Sequence, residues 1–203
     1  MRRTKEAAEN TQRELLDAAL TTFGQKGYEA TRLEDIARRA GVTRGAIYHH
    51  FSNKADLYKA LVEQASGQGK VLIQKAVSKG GTFEDIVSRI FTSYFALLED
   101  DNHFRDVVIL TLSNMEVSND LKDLARRRYE EARVLVENIA GFFNIAISSG
   151  QLRSDLDPEV AARALIAYQN GLTMLWLANT DVFSIKASAQ VLTDVFLKGI
   201  VSK

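Results

Sequence analysis

A chain of 203 residues with one proline has almost nothing in it to interrupt a helix. That proline, Pro158, follows Leu156-Asp157, where it can open a helix rather than break one. Glycines do the punctuation instead, in pairs and clusters along the chain. No stretch sustains the two-residue alternation of a half-buried strand, so the expected fold class is all-α.

The elements follow from spacing and caps. Leu15, Ala18, Ala19 and Phe23 fall at helical intervals and predict a helix over about residues 6–26, ended by Gly27. Thr31-Arg32-Leu33-Glu34 reads as a capping box for a short helix to Ala40 that buries Leu33, Ile36 and Ala37. Gly41-Val42 interrupts, and Thr43 caps a second short helix through Phe51. Ser52 and Asn53 supply the cap of a fourth helix, with Leu57, Leu61 and Ala65 as its apolar line. Gly80-Gly81-Thr82 marks the clearest internal boundary. Beyond it, helical patterns occupy about 83–100, 103–115, 118–149, 158–178 and 184–201.

Composition narrows the function. Lys and Arg number 26 and Asp and Glu number 26, so no basic excess argues for nucleic acid, and any such claim has to come from a motif. Cysteine is absent, which removes thiolate metal sites and cysteine nucleophiles. The three histidines, His49, His50 and His103, leave little for a metal centre, and no metal or cofactor is expected. Apolar runs break off too soon for a membrane span and the N-terminus does not read as a secretory signal, so a cytoplasmic protein without a membrane partner is expected.

The informative segment is TRLEDIARRAGVTRGAIYHHFSNKADLY, residues 31–58. Two short helices joined through Gly41, with the small Ala37 at their close approach and Val42 and Ile47 as apolar pins, have the make-up of a helix-turn-helix. If Ile47 and Phe51 point inward, Thr43, Arg44, Gly45, Tyr48 and His49 face out, a set suited to the major groove. Gly41, Val42, Thr43, Gly45, Tyr48, His50, Phe51, Lys54 and Leu57 match the pattern of the TetR family of bacterial transcriptional repressors, which the chain resembles over about residues 12–58. The resemblance implies a helix-turn-helix DNA-binding domain over residues 1–55 and a helical ligand-binding and dimerisation domain over 56–203. It places Thr43, Arg44, Gly45 and Ala46 near base edges and Tyr48, His49 and Lys54 on phosphates, with Arg32 within reach of the backbone. Arg44 is the best candidate for bidentate reading of a guanine. His50 is expected to pack rather than to act as ligand, acid or base.

The run from Gly150 to Trp176 resembles the AcrR/TtgR branch, the multidrug-efflux regulators. That resemblance implies a small-molecule inducer held in the bundle, for which Phe91, Phe95, Val108, Leu112, Met115, Leu135, Ile139, Phe142, Asn170 and Met174 are the candidates. Residue by residue these read first as core; as a set they suit a hydrophobic or aromatic ligand. A regulator sensing a fatty-acyl or other metabolite is the alternative. Apolar faces stand at Val160, Ala164, Leu165, Tyr168, Leu172 and Leu175, and at Leu192, Val195, Phe196 and Ile200; the family resemblance implies that they pair with their copies in a homodimer, which a palindromic operator matches.

Two features invite other readings. Ser66-Gly67-Gln68-Gly69-Lys70 lacks the preceding strand and the Ser or Thr of a phosphate loop; the glycines end the helix or bend it, and read either as a compliant joint that lets ligand binding swing the reading heads or as a tolerated defect. Arg126-Arg127-Arg128 tempts toward DNA, but Glu130 and Glu131 stand at i,i+4 spacing and predict a solvated, internally paired face. A di-metal carboxylate enzyme would need Glu-x-x-His pairs, and none occurs; no G-x-S-x-G elbow is present either, so an enzyme is not expected.

Overall fold

The computed structural model of the chain describes residues 2–113 and 121–201. Among these the chain forms α1 (Arg2–Ala30), α2 (Leu33–Arg39), α3 (Arg44–His50), α4 (Lys54–Ser78), α5 (Phe83–Asp100), α6 (Asn102–Ser113), α7 (Lys122–Ser148), α8 (Pro158–Ala178) and α9 (Ile185–Leu197). No strand occurs among the described residues; one antiparallel bridge joins Leu152 to Val201. The all-α expectation is met. No helix among them is long and apolar enough to cross a membrane.

Packing divides the chain into two compact units, residues 1–68 with 102–125, and residues 69–101 with 126–203. In the first, Leu15, Ala19, Ile36, Ile47, Leu57 and Leu61 are wholly or almost wholly withdrawn from water. At the centre Phe23, Tyr28 and Tyr58 form a triangle of rings with centroids 5.4 to 5.8 Å apart, close enough for edge and stacked contacts. Gly27 takes φ 76°, which only glycine adopts freely, and breaks the regular course of α1 where the sequence ends its first helix.

In the second unit α5 contributes Phe83, Phe91 and Phe95 and α7 contributes Phe143 to the interior, while α9 lies along α5. Glu99 fastens them: its carboxylate accepts from the Ser184 hydroxyl at 2.8 Å and from the Lys186 amide at 2.9 Å. Asp157 caps α8 by accepting from the Glu159 and Val160 amides, with Pro158 in the first turn as expected. A true capping box stands at Thr82–Asp85, where the Asp85 amide donates to the Thr82 hydroxyl at 3.2 Å and the Thr82 amide donates back to the carboxylate at 2.9 Å.

Several expectations are corrected. Thr31 does not cap α2: its buried hydroxyl donates to the Gly27 carbonyl at 2.7 Å, and the cap position falls to Arg32, whose side chain makes no cap bond. The tight exit from the Gly27 break offers Thr31 an acceptor closer than the helix that follows. Helix α4 neither ends nor breaks at Gly67 and Gly69 but runs on to Ser78, and a Cβ at either glycine would meet nothing within 4 Å. Glu130 pairs with Arg133, whose Nε donates to both its oxygens at 3.2 Å, and Arg133 also holds Glu137; none of the described ion pairs takes in Arg126, Arg127 or Arg128. Arg133 lies within one turn of both acids and captures them. The three arginines remain solvated, each about 100° around the helix from the next, so they make no single basic face.

Candidate nucleic-acid interface

Helix α2 stops where its last carbonyls find partners in the turn. The Val42 amide donates to the Ala37 carbonyl at 3.0 Å and the Gly41 amide to the Arg38 carbonyl at 3.3 Å, with Gly41 at φ 68°. That is a left-handed helix exit, and a side chain at position 41 would strain it. Thr43, extended, then caps α3: the Ala46 amide donates to its hydroxyl at 3.2 Å. Ile47 is fully buried and Phe51 nearly so, and they fix the roll of α3. Thr43, Arg44, Gly45, Tyr48 and His49 consequently face solvent, with Ala46 half-buried beside them. His50 packs its ring against those of His49 and Phe51.

The supporting helix is tied down as firmly. Lys26 meets Asp35 at 3.0 Å and holds its carboxyl below the usual carboxylate range, and Arg39 donates to the Gln25 side-chain carbonyl at 3.0 Å. These contacts join the end of α1 to α2 and set the platform for α3. Arg32 is exposed at the start of α2. Lys54 is placed otherwise than expected. Its ammonium donates to the Tyr28 carbonyl at 2.8 Å and the Glu29 carbonyl at 3.2 Å and lies 4.2 Å from the Tyr28 ring centre. Two of its three donors are spent closing the end of α1, so its first role is internal.

The sequence singled out nothing at Glu34 except a cap. The structure brings its carboxylate to the reading face: Arg44 Nε lies 3.2 Å from it, and the Tyr48 hydroxyl donates to it at 3.5 Å. Only the packing of α2 against α3 makes neighbours of positions ten and fourteen residues apart.

The ten ligand candidates do not share one surrounding. Phe91 and Phe95 are buried in the second unit with ring centroids 5.6 Å apart, and Ile139 and Phe142 are half-buried there. Val108 and Leu112 are half-buried and belong to the first unit. Met115 lies outside the described residues. Leu135, Asn170 and Met174 are exposed, Met174 by 58%. The interior line of α8 runs through Ala161, Leu165, Thr173 and Trp176, so residues 170 and 174 sit one step around the helix from it. What the sequence missed is polar: Tyr94 hydrogen-bonds to Thr173 and Gln169, and burial pushes its phenol up from the ordinary value. A cleft of about 260 Å³ on this unit is lined by Tyr129, Ala132, Arg133, Val136, Glu137, Glu159 and Arg163, none of them in the expected ligand set.

A capped short helix rolled outward on a glycine turn, with hydroxyls, a guanidinium and an open glycine on its free face, defines a helix-turn-helix DNA-binding protein. Comparison with known proteins makes the class specific. Residues 15–61 match the profile of bacterial regulatory proteins of the tetR family, and residues 84–200 match the C-terminal domain of BetI-type transcriptional repressors. The chain is 31% identical to the HTH-type transcriptional regulator TtgR of Pseudomonas putida across 97% of its own length and 94% of that protein's. It superimposes on NalD, the secondary repressor of the MexAB-OprM multidrug efflux pump in Pseudomonas aeruginosa, with a TM-score of 0.84 at 28% identity, covering 98% of this chain and 99% of that one. SmeT, the repressor of the Stenotrophomonas maltophilia efflux pump SmeDEF, solved in complex with triclosan, gives a TM-score of 0.80 at 28% identity over 96% and 93%. The chain belongs to the TetR family of bacterial transcriptional regulators.

Proposed function

We propose that the chain is a cytoplasmic repressor of an efflux system that grips a palindromic operator as a homodimer and lets go when a small, hydrophobic or aromatic inducer binds. The observation that carries this reading is the free face of α3, where Thr43, Arg44, Gly45, Tyr48 and His49 are exposed together while Ile47 is fully buried. In it Thr43, Arg44, Gly45 and Ala46 meet base edges, and Arg32, Tyr48 and His49 meet phosphates, Lys54 helping through its one free donor. Residues 1–60 hold 11 Lys and Arg against 8 Asp and Glu, enough local positive charge for a releasable contact in a neutral chain.

The second copy is supplied by α8 and α9. Val160 and Leu175 on α8 and Val191 and Val195 on α9 are each more than half exposed, large apolar side chains that a second copy would cover. One helix-turn-helix reads one half-site, so a two-fold pair reads a palindrome. In this reading Phe91, Phe95, Ile139 and Phe142 are the second unit's contribution to inducer binding, and Tyr94, whose ring lies 5.6 Å from that of Phe95, adds a polar group. Release is a population shift: an inducer that favours the weakly binding state lowers operator affinity by its own differential affinity, typically ~1–3 kcal/mol.

The test is to enrich duplexes from a random library with the full-length protein, then titrate flavonoids, hydrophobic antibiotics and acyl-CoAs into the complex. An enriched palindrome released by one of the first two classes is expected. Release by acyl-CoA alone would move the protein to a metabolite sensor, and a monomer mass at all concentrations in sedimentation would overturn the dimer.

A further inference from the structure

We infer that Glu34 aims Arg44, which makes it a specificity-determining residue of the DNA-reading surface although it stands on the supporting helix; this rests on the regulator reading above. Arg44 and Tyr48 lie one turn apart on α3, and the guanidinium sits over the Tyr48 ring, 5.7 Å from its centre. Glu34 closes the triangle from the first turn of α2, its Oε1 3.2 Å from Arg44 Nε and 3.5 Å from the Tyr48 hydroxyl. Ring and carboxylate together bias the guanidinium toward one orientation.

The stereochemistry of the pairing matters. Glu34 lies against Nε, and no described ion pair takes up either Nη group; two parallel N–H donors are what guanine N7 and O6 accept. An arginine with no such partner must surrender its rotamer freedom when it meets the base; one already held gives up less, and the difference goes into discrimination. In the free protein the pair is solvated, with Arg44 71% and Glu34 38% exposed, so it adds little to folding stability. When DNA covers α3 and drives water out, the same pair strengthens, because solvent no longer screens it.

A carboxylate on a surface that meets phosphates also has a cost. It lowers affinity for every duplex, whatever its sequence, and the two effects of opposite sign give Glu34 a signature that a plain surface charge or a helix-end acid does not share.

The experiment uses full-length wild type, Glu34→Ala, Glu34→Gln, Arg44→Ala and the Glu34→Ala/Arg44→Ala double variant. Each is titrated against the wild-type-enriched duplex, copies of it changed at one base pair at a time, and a shuffled duplex. Glu34→Ala is expected to bind the shuffled duplex a few-fold tighter, with that gain shrinking as salt rises. It should lose roughly tenfold of discrimination at the base pair that Arg44 reads and none elsewhere. Glu34→Gln keeps an acceptor for Nε without the charge, so it should share the general gain and retain part of the discrimination. The double variant should lose no more discrimination than Arg44→Ala alone, since the two act as one unit. Equal strengthening on all duplexes with discrimination intact would overturn the inference, as would a fall in unfolding temperature with unchanged DNA binding. If wild type enriches a sequence but Arg44→Ala loses discrimination nowhere, only this inference falls. If wild type enriches nothing, the regulator reading falls and takes it along.

Discussion

Helix α3 and the front half of α7 are both helices whose side chains mostly meet water, and they do so for opposite reasons. In α3 one residue, Ile47, is wholly buried and the cap at Thr43 fixes the first turn, so the remaining side chains point in defined directions. In α7 residues 126–135 are exposed all around, and the buried positions Ala140, Phe143 and Ala146 come only later in the helix. A helix held by one face presents the other in register, and a side chain there can be placed to within hydrogen-bonding distance, as Arg44 is against Glu34. A helix with no buried face has contact and charge to offer but no fixed presentation. Reading a base sequence needs the first kind.

The sharpest way to break this contrast is to remove the anchor. Ile47→Ala should destabilise the protein by about 2–5 kcal/mol and abolish operator binding, measured by denaturant unfolding at fixed protein concentration and by anisotropy. Binding that survived the loss would show that α3 does not depend on its buried face.

Gly67→Ala/Gly69→Ala should raise stability by roughly 1 kcal/mol per site, because both glycines lie within α4 and a Cβ meets nothing there. A rise in midpoint with unchanged inducer release would leave these glycines as tolerated defects; a rise with blunted release would make them a compliant joint.

Lys54→Ala tests whether the platform under α3 is held from within. A loss of about 1–2 kcal/mol is expected, since two helix-end carbonyls lose a charged donor. Unchanged stability with a salt slope flattened by about 1 would instead make Lys54 a phosphate contact.

Thr82→Ala, in the second unit, should cost about 1 kcal/mol through the lost cap and leave operator affinity alone. It also has a pH signature. The Asp85 carboxyl is held below its ordinary value by the Thr82 amide and then by the Thr82 hydroxyl. A lowered folded-state pKa means stability that is present above the unfolded carboxylate value and lost as pH falls through the folded one. Alanine keeps the amide and loses only the hydroxyl, so wild type should lose slightly more stability than Thr82→Ala over the acid side of about pH 4. The smallest effect is expected at Leu135→Ala on the exposed stretch of α7, within about 0.5 kcal/mol; a large loss would mean that this helix is covered in the dimer.

The helix-turn-helix segment was largely legible because its signals are local. Gly41, Thr43 and the Ile47–Phe51 spacing act within a few residues of one another, and the structure repeats them closely. Thr31 and Thr82 both have the residues of a capping box, but only Thr82 forms one, because the course of the chain gives the Thr31 hydroxyl a carbonyl to donate to. The candidate ligand set was legible only as a composition. Asn170 and Met174 share the apolar surroundings of the residues beside them, yet Thr173 and Trp176 are the ones that α8 turns to the core, a rotation that periodicity alone leaves free when apolar side chains surround the helix.

The sequence by itself determined that this chain is helical, where most of its helices begin and end, and which short helix can enter a groove, because these depend on backbone preferences and on caps within one turn. Only the tertiary structure decided what those helices hold against one another: that Lys54 closes α1, that Tyr94 meets Thr173 and Gln169, and that Glu34 stands beside Arg44. Each of these joins groups from different helices, and their distances are set by the packing of whole elements, which no local pattern encodes.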